Sequence, residues 1–175
     1  NKDIYMLKRL KVDYLFIPNT LQMYPNGPSK NIKIHPLGKV LCGKNRPGHF
    51  EAIVDVVNRF IKIIKPKKIY FGKKDMQQLK IVENFIKNKY PEIKVVPCNT
   101  IREKNGVACS SRNSLLKKSE KDIASKVYKI LIYNKTSLLK KRISINTIKK
   151  KIDTFNEVKI DYINLIDIKK IIKPV

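Results

Sequence analysis

Between residues 50 and 97 the spacing of apolar side chains changes period three times, and this alternation constrains the fold more than anything else in the chain. Phe50, Ile53, Val54, Val57, Phe60, Ile61 and Ile64 recur at three- and four-residue steps, which predicts an amphipathic helix over 50–64, stopped before Lys65-Pro66. Residues 68–71 form a short run of β-formers and are expected to be a strand. Residues 76–89 return to helical spacing, and 93–97 read as a second strand. Two strands joined through a helix cannot form a hairpin, so the pair is expected to be parallel, within an α/β sheet. Ligands of such sheets sit beyond the carboxyl ends of the strands. The turn from Gly72 to Gln78 falls at such an end.

The flanks are less regular. Ile4, Leu7 and Leu10 predict a helix over 1–10; residues 12–17 read as a strand stopped by Pro18. Tyr24-Pro25-Asn26-Gly27-Pro28 is a turn, and 31–35 alternates as a further strand would. Beyond Asn113 the pattern predicts helices over 119–133 and 143–155, then strand character over 158–166. A domain boundary near 101–113 divides the chain into residues 1–101 and 102–175.

A chain of 175 residues, 42% hydrophobic and 30% charged, can bury a substantial core. No apolar run approaches the ~20 residues of a membrane span, so no membrane partner is expected. Three cysteines and two histidines make neither a zinc spacing nor a disulfide framework, which fits a reducing, cytoplasmic setting. The formal net charge of +25 raises the question of a nucleic-acid partner. The lysines, however, are dispersed along the chain rather than interleaved with aromatics. A solvated lysine surface is the better reading, and nucleic acid is not the expected partner.

Three short segments carry chemistry. In Gly72-Lys73-Lys74-Asp75 the glycine admits a close backbone approach, a lysine can pair with a phosphate and the carboxylate suits a ribose. The same Asp75, three residues before Gln78, is also a capping-box pattern that needs no ligand. Ser110-Ser111-Arg112-Asn113 offers two hydroxyls and a guanidinium, but its local pattern by itself reads as a plain turn. Arg46-Pro47-Gly48-His49-Phe50 opens the long helix, where Arg46 and His49 could meet an anion. His49 could equally be an ordinary, partly buried side chain.

The order of these segments resembles the pantothenate synthetases (pantoate–β-alanine ligases). That family carries Arg-Pro-x-His-Phe at a helix start, then Phe-Gly-Glu-Lys-Asp-x-Gln-Gln-Leu, then Ser-Ser-Arg-Asn after a Gly-x-Ala stretch. Weaker matches flank them at Val12-Asp13-Tyr14-Leu15-Phe16-Ile17-Pro18, Tyr24-Pro25-Asn26-Gly27 and Ile160-Asp161-Tyr162. The resemblance implies a Rossmann-like parallel sheet of the class I synthetase and nucleotidylyltransferase type, incomplete here, followed by a smaller α+β lid domain. It implies a ligase that uses ATP and Mg2+ to join pantoate to β-alanine, and a homodimeric parent.

Residue by residue, the resemblance implies that Gly72 and Asp75 hold the ATP ribose, that Lys74 meets the phosphates with Lys73 beside it, and that Ile101 lines the adenine pocket. Cys109, Ser110, Ser111 and Arg112 would close on the nucleotide; Lys74, Ser110, Ser111 and Arg112 would be catalytic. Gln78 would hydrogen-bond pantoate, with Phe71, Val56 and Val57 on its gem-dimethyl group and Arg46 in the same basic segment.

The chain also departs from the family pattern. Lys73 and Cys42 stand where the family has Glu, Ala52 where Gly is common, and Cys109 where Met is frequent. The family's His-x-Gly-His and Asn-Pro-x-Gln-Phe motifs do not occur. The expectation is therefore a stretch of a longer ligase, inactive by itself. The alternatives are another adenylating or nucleotidylyl-transferring enzyme of the same fold, or a basic RNA-binding module.

Overall fold

The computed structural model describes residues 2–167. Helix α1 spans Lys2–Arg9 and α2 Thr20–Met23; a 3-10 turn covers Pro36–Lys39, and α3 spans Cys42–Asn45. The long helix α4 runs His49–Ile64, strand β1 Lys68–Gly72, helix α5 Met76–Lys89 and strand β2 Lys94–Cys98. A 3-10 turn at Ser111–Leu115 leads to α6, Lys118–Leu139, and α7, Ile145–Ile152.

β1 and β2 pair in parallel, with Lys68 opposite Lys94, Tyr70 opposite Val96 and Gly72 opposite Cys98. α5 is the crossover between them, as the strand–helix–strand pattern requires. The apolar stripe of α4 meets α5 and divides the interior into two clusters. Phe50 and Val54 join Leu37 and Ile81 in the first. Ile61 joins Val82, Ile86 and Ile93 in the second, with Ile69, Phe71 and Val57 against it. α4 begins one residue before the sequence expectation and ends where expected, because Lys65 takes a left-handed conformation (φ 50°) ahead of Pro66.

Two polar devices lock this frame. Asp55 on α4 is buried and holds Arg59 one turn later, Nε to Oδ1 at 2.9 Å. Arg59 also donates to the carbonyls of Met23 (2.6 Å) and Gly27 (3.0 Å), while Asp55 accepts from the amide and hydroxyl of Ser29. The 20–29 turn is thus tied to α4 by a satisfied ionic network. Further along, a loop bridged between Arg102 and Ala108 rests on α6. Gly106 (φ 90°) lies so close to the Tyr128 ring that a β-carbon would collide with it. Arg102 stacks 4.2 Å from the same ring, and the Ser125 hydroxyl donates to the Asn105 carbonyl.

Three expected strands do not form. Residues 12–17 are irregular, with a bend at Asp13 and no ladder partner among the described residues, and Tyr14 is 93% exposed. A β-prone run becomes a strand only when a neighbour takes its backbone hydrogen bonds; here Phe16 instead meets the edge of the Phe60 ring on α4. Residues 31–35 are likewise irregular, and within the expected 158–166 only Ile166 makes a bridge among the described residues. α6 runs six residues further than the expected 119–133, since nothing between Asn134 and Leu139 breaks a helix, and α7 is shorter than 143–155 at both ends.

Candidate functional site at the carboxyl end of strand β1

β1 ends at Gly72, and a single 3-10 turn, Lys73–Asp75, leads straight into α5. The turn places Lys74, Asp75, Gln77 and Gln78 around the first turn of α5, at the carboxyl end of the sheet. Across from them the segment 37–49 returns towards α4 with Arg46 and His49. Between the two lies a cavity of about 480 Å³, walled by Leu37, Cys42, Arg46, His49, Lys74, Asp75, Gln78 and Lys80. Tyr162, Asn164 and Leu165, from the far end of the chain, form a third wall.

Asp75 stands at the N-cap of α5 but makes no side-chain capping bond. The capping-box reading of Asp75 and Gln78 therefore does not hold, and the carboxylate lines the cavity. The local charge is positive: Arg46 and Lys74 stand against Asp75, while Lys80 is paired with Glu83 at 2.6 Å. His49 titrates below its ordinary value of 6.5, because burial disfavours its charged form and Arg46 repels it. At neutral pH it is an uncharged imidazole beside a permanent cation.

The Ser-Ser-Arg turn lies beside this cavity. Lys74 Nζ donates to the Cys109 carbonyl at 3.1 Å, which ties that turn to the end of β1. Lys73 Nζ donates to Asn99 Oδ1 at 2.8 Å, so the lysine in place of the family's glutamate is held along the β2 exit. Ser110 accepts from the Arg112 amide and starts the 3-10 turn. Asn113 donates to Glu103 (2.6 Å) and to the Ala108 carbonyl (3.1 Å), closing the loop on itself.

The expected site residues therefore separate. Arg46, Lys74, Asp75 and Gln78 line one cavity. Lys73, Cys109, Ser110, Ser111 and Arg112 sit on the adjoining loops, and Gly72 ends the strand beneath them. Phe71 and Val57 pack into the second core cluster; neither they nor Val56 wall the cavity, and Ile101 is largely exposed. Sequence reasoning did not assign Gln77, Lys80 or Tyr162. The glutamine pair and the Ile-Asp-Tyr match were the signals available for two of them.

The sequence model of the family described as Pantoate-beta-alanine ligase matches residues 1–175. The chain belongs to this ligase family. It is 36% identical over 169 residues to the pantothenate synthetase of Thermosipho africanus, covering 95% of this chain and 61% of the relative. To that of Ruthia magnifica it is 39% identical over 168 residues, covering 95% and 60%. The crystal structure of the Thermus thermophilus pantothenate synthetase superposes with a TM-score of 0.88 at 29% identity, over 99% of this chain and 64% of that one. The pantoate-beta-alanine ligase of Francisella tularensis, solved as a complex with beta-gamma ATP and beta-alanine, matches at 33% identity with a TM-score of 0.74, over 87% and 57%. The chain thus spans about three fifths of the length of these pantoate-beta-alanine ligases and carries their α/β fold over that span.

Proposed function

We propose that the polypeptide containing these residues condenses pantoate with β-alanine at the expense of ATP, through a pantoyl adenylate, with release of AMP and pyrophosphate. The observation that carries the reading is the convergence of Arg46, Lys74, Asp75 and Gln78 on one cavity at the carboxyl end of a parallel strand, in a chain of this family. The Francisella relative's complex with an ATP species and β-alanine supports the choice of ligands. Mg2+ would enter with ATP and would offset the charge that develops on the phosphates.

In this reading Asp75 and the backbone at Gly72 take the ribose, while Lys74 faces the phosphates and Lys73 adds charge beside it. Gln78 presents both a donor and an acceptor to pantoate, with Arg46 opposite. A pantoate carboxylate oxygen attacks the α-phosphorus, and the bond to the bridging oxygen breaks as pyrophosphate leaves. Negative charge grows on the phosphoryl and leaving oxygens, where fixed cations such as Lys74 and Arg112 stabilise it. The neutral amine of β-alanine then attacks the acyl carbon, AMP leaves and the amine proton is lost to solvent. Ser110, Ser111 and Arg112 would cover the adenylate against water, and the Lys74 bond to Cys109 supports such a closure. Ile101 and Cys109 would face the nucleotide, and Phe71, Val56 and Val57 would shape the apolar side of the pantoate site from beneath. Residues 1–101 would be the nucleotide-binding part and 102–175 the lid, in a cytoplasmic homodimer; three free cysteines support the reducing setting.

The test is ATP–pyrophosphate exchange by the complete polypeptide. Exchange that requires pantoate supports the reading. Exchange driven by a different acid would move the assignment to another adenylating enzyme of the fold. Absence of any exchange would overturn it.

A further inference from the structure

Gln77 touches the cavity wall, yet its amide is fully engaged elsewhere. Its Oε1 accepts from the Cys42 amide at 3.2 Å, and its Nε2 donates to the carbonyls of Leu37 and Val40, each at 2.8 Å. One side chain of α5 thus binds three backbone groups of a segment some forty residues earlier in the chain. That segment is strained. Leu41 sits at φ 52°, ψ −122°, outside the regions open to a branched L-residue. Such a conformation is unfavourable and persists only where its surroundings hold it. Gly43 adds a second constraint, since a β-carbon there would strike the Gly38 backbone. The same segment delivers Cys42 to the Tyr162 hydroxyl (2.6 Å) and carries Arg46 and His49 to the cavity. Gln78 is the next residue, about 100° round the helix, so the two glutamine side chains leave α5 in different directions.

We infer that Gln77 is a positioning residue that clamps the 37–42 segment to the first turn of α5 and so sets the gap between the Arg46/His49 wall and the Lys74/Asp75/Gln78 wall. The catalytic consequence rests on the ligase reading above; the clamp itself does not. Loss of the clamp lets Leu41 relax and moves the Arg46 wall, while Lys74 and Asp75 stay fixed to β1. The acid substrate held between the walls should therefore suffer more than ATP.

The experiment uses Gln77→Met in the complete polypeptide; Met has similar length and supplies none of the three hydrogen bonds. Backbone hydrogen exchange over residues 40–46 should accelerate about tenfold or more, with α4 and α5 unchanged. In pantoate-dependent exchange, KM for pantoate should rise about tenfold while KM for ATP stays within about twofold. Unaltered hydrogen exchange over 40–46 would overturn the clamp, and so would an unaltered pantoate KM in an otherwise active enzyme. If the parent itself lacks pantoate-dependent exchange, the ligase reading falls and the hydrogen exchange alone decides the clamp. Should the Met variant not fold, Gln77→Glu keeps the acceptor for Cys42 and faces both carbonyls without a donor. It must then loosen the same segment.

Discussion

Lys74 is exposed, and among the described residues its hydrogen bond reaches a loop carbonyl rather than a carboxylate. Its removal should barely touch stability, by about 0.5 kcal/mol or less. In the ligase proposed above it would also remove a cation that faces the phosphates. Lys74→Ala is therefore expected to slow pantoate-dependent exchange about a hundredfold while the melting curve stays in place; wild-type turnover in this variant would dissociate the residue from catalysis. His49 offers a second residue-level test. Burial and Arg46 hold its pKa below 6.5. Removing Arg46 takes away the repulsion and leaves the burial, so in Arg46→Ala the His49 pKa should rise yet remain below the ordinary value. An NMR titration of the imidazole carbon-bound protons reads this directly, and an unmoved midpoint would place Arg46 too far away to act. The sign for stability follows. The folded state prefers neutral His49, so this contribution is full above pH 6.5 and is lost as acid protonates the ring.

At the level of elements, α4 is held by its apolar stripe and by one buried ion pair. Burial alone would raise the pKa of Asp55, but the bonds from Arg59 and Ser29 outweigh it and the group titrates below its ordinary 3.8. The folded state thus favours the carboxylate. Its stabilisation is complete above the unfolded value and disappears as pH falls through the depressed one. Asp55→Ala leaves Arg59 largely buried without its partner and frees the 20–29 turn. The expected cost is about 3–5 kcal/mol, read from denaturant midpoints at neutral pH, and the loss should shrink as pH falls below 3.8. A cost independent of pH would mean that packing, rather than charge, matters there. In the first core cluster Ile81 is 1% exposed, and Ile81→Ala should cost about 2–5 kcal/mol. The elements that carry these positions, though not the positions themselves, were legible in the sequence. Helices α4 and α5 and strands β1 and β2 all followed from periodicity, because a repeat of apolar residues is a local property that burial later uses.

At the scale of the whole molecule, the described residues leave many large apolar side chains uncovered. Tyr14, Leu10, Ile17 and Leu21 are exposed, and residues 12–17 have no described ladder partner. Expressed alone, these 175 residues should bind a hydrophobic dye and self-associate at about micromolar concentration, as exposed edges and patches do. A dye-silent monomer in sedimentation velocity would contradict this. The same region shows where sequence reading stops. The β-formers at 12–17 and 158–166 were read as strands, but a strand is completed by another segment's hydrogen bonds, and the order of residues does not say which segment that is. The chemistry divides in the same way. Residue types in their order, from Arg46 through Gly72–Asp75 to the Ser110–Arg112 turn, were enough to suggest the family and the kind of reaction. Only the tertiary structure decided that Arg46, Lys74, Asp75 and Gln78 share one cavity while Phe71 and Val57 serve the core. Only it showed that Asp75 does not cap its helix, that Tyr162 closes the cavity from 120 residues beyond Cys42, and that Gln77 binds the loop opposite. Periodicity and motif spacing are properties of neighbours in the chain. Contacts between distant residues are settled by packing, where many weak interactions act together and no single residue announces its partner.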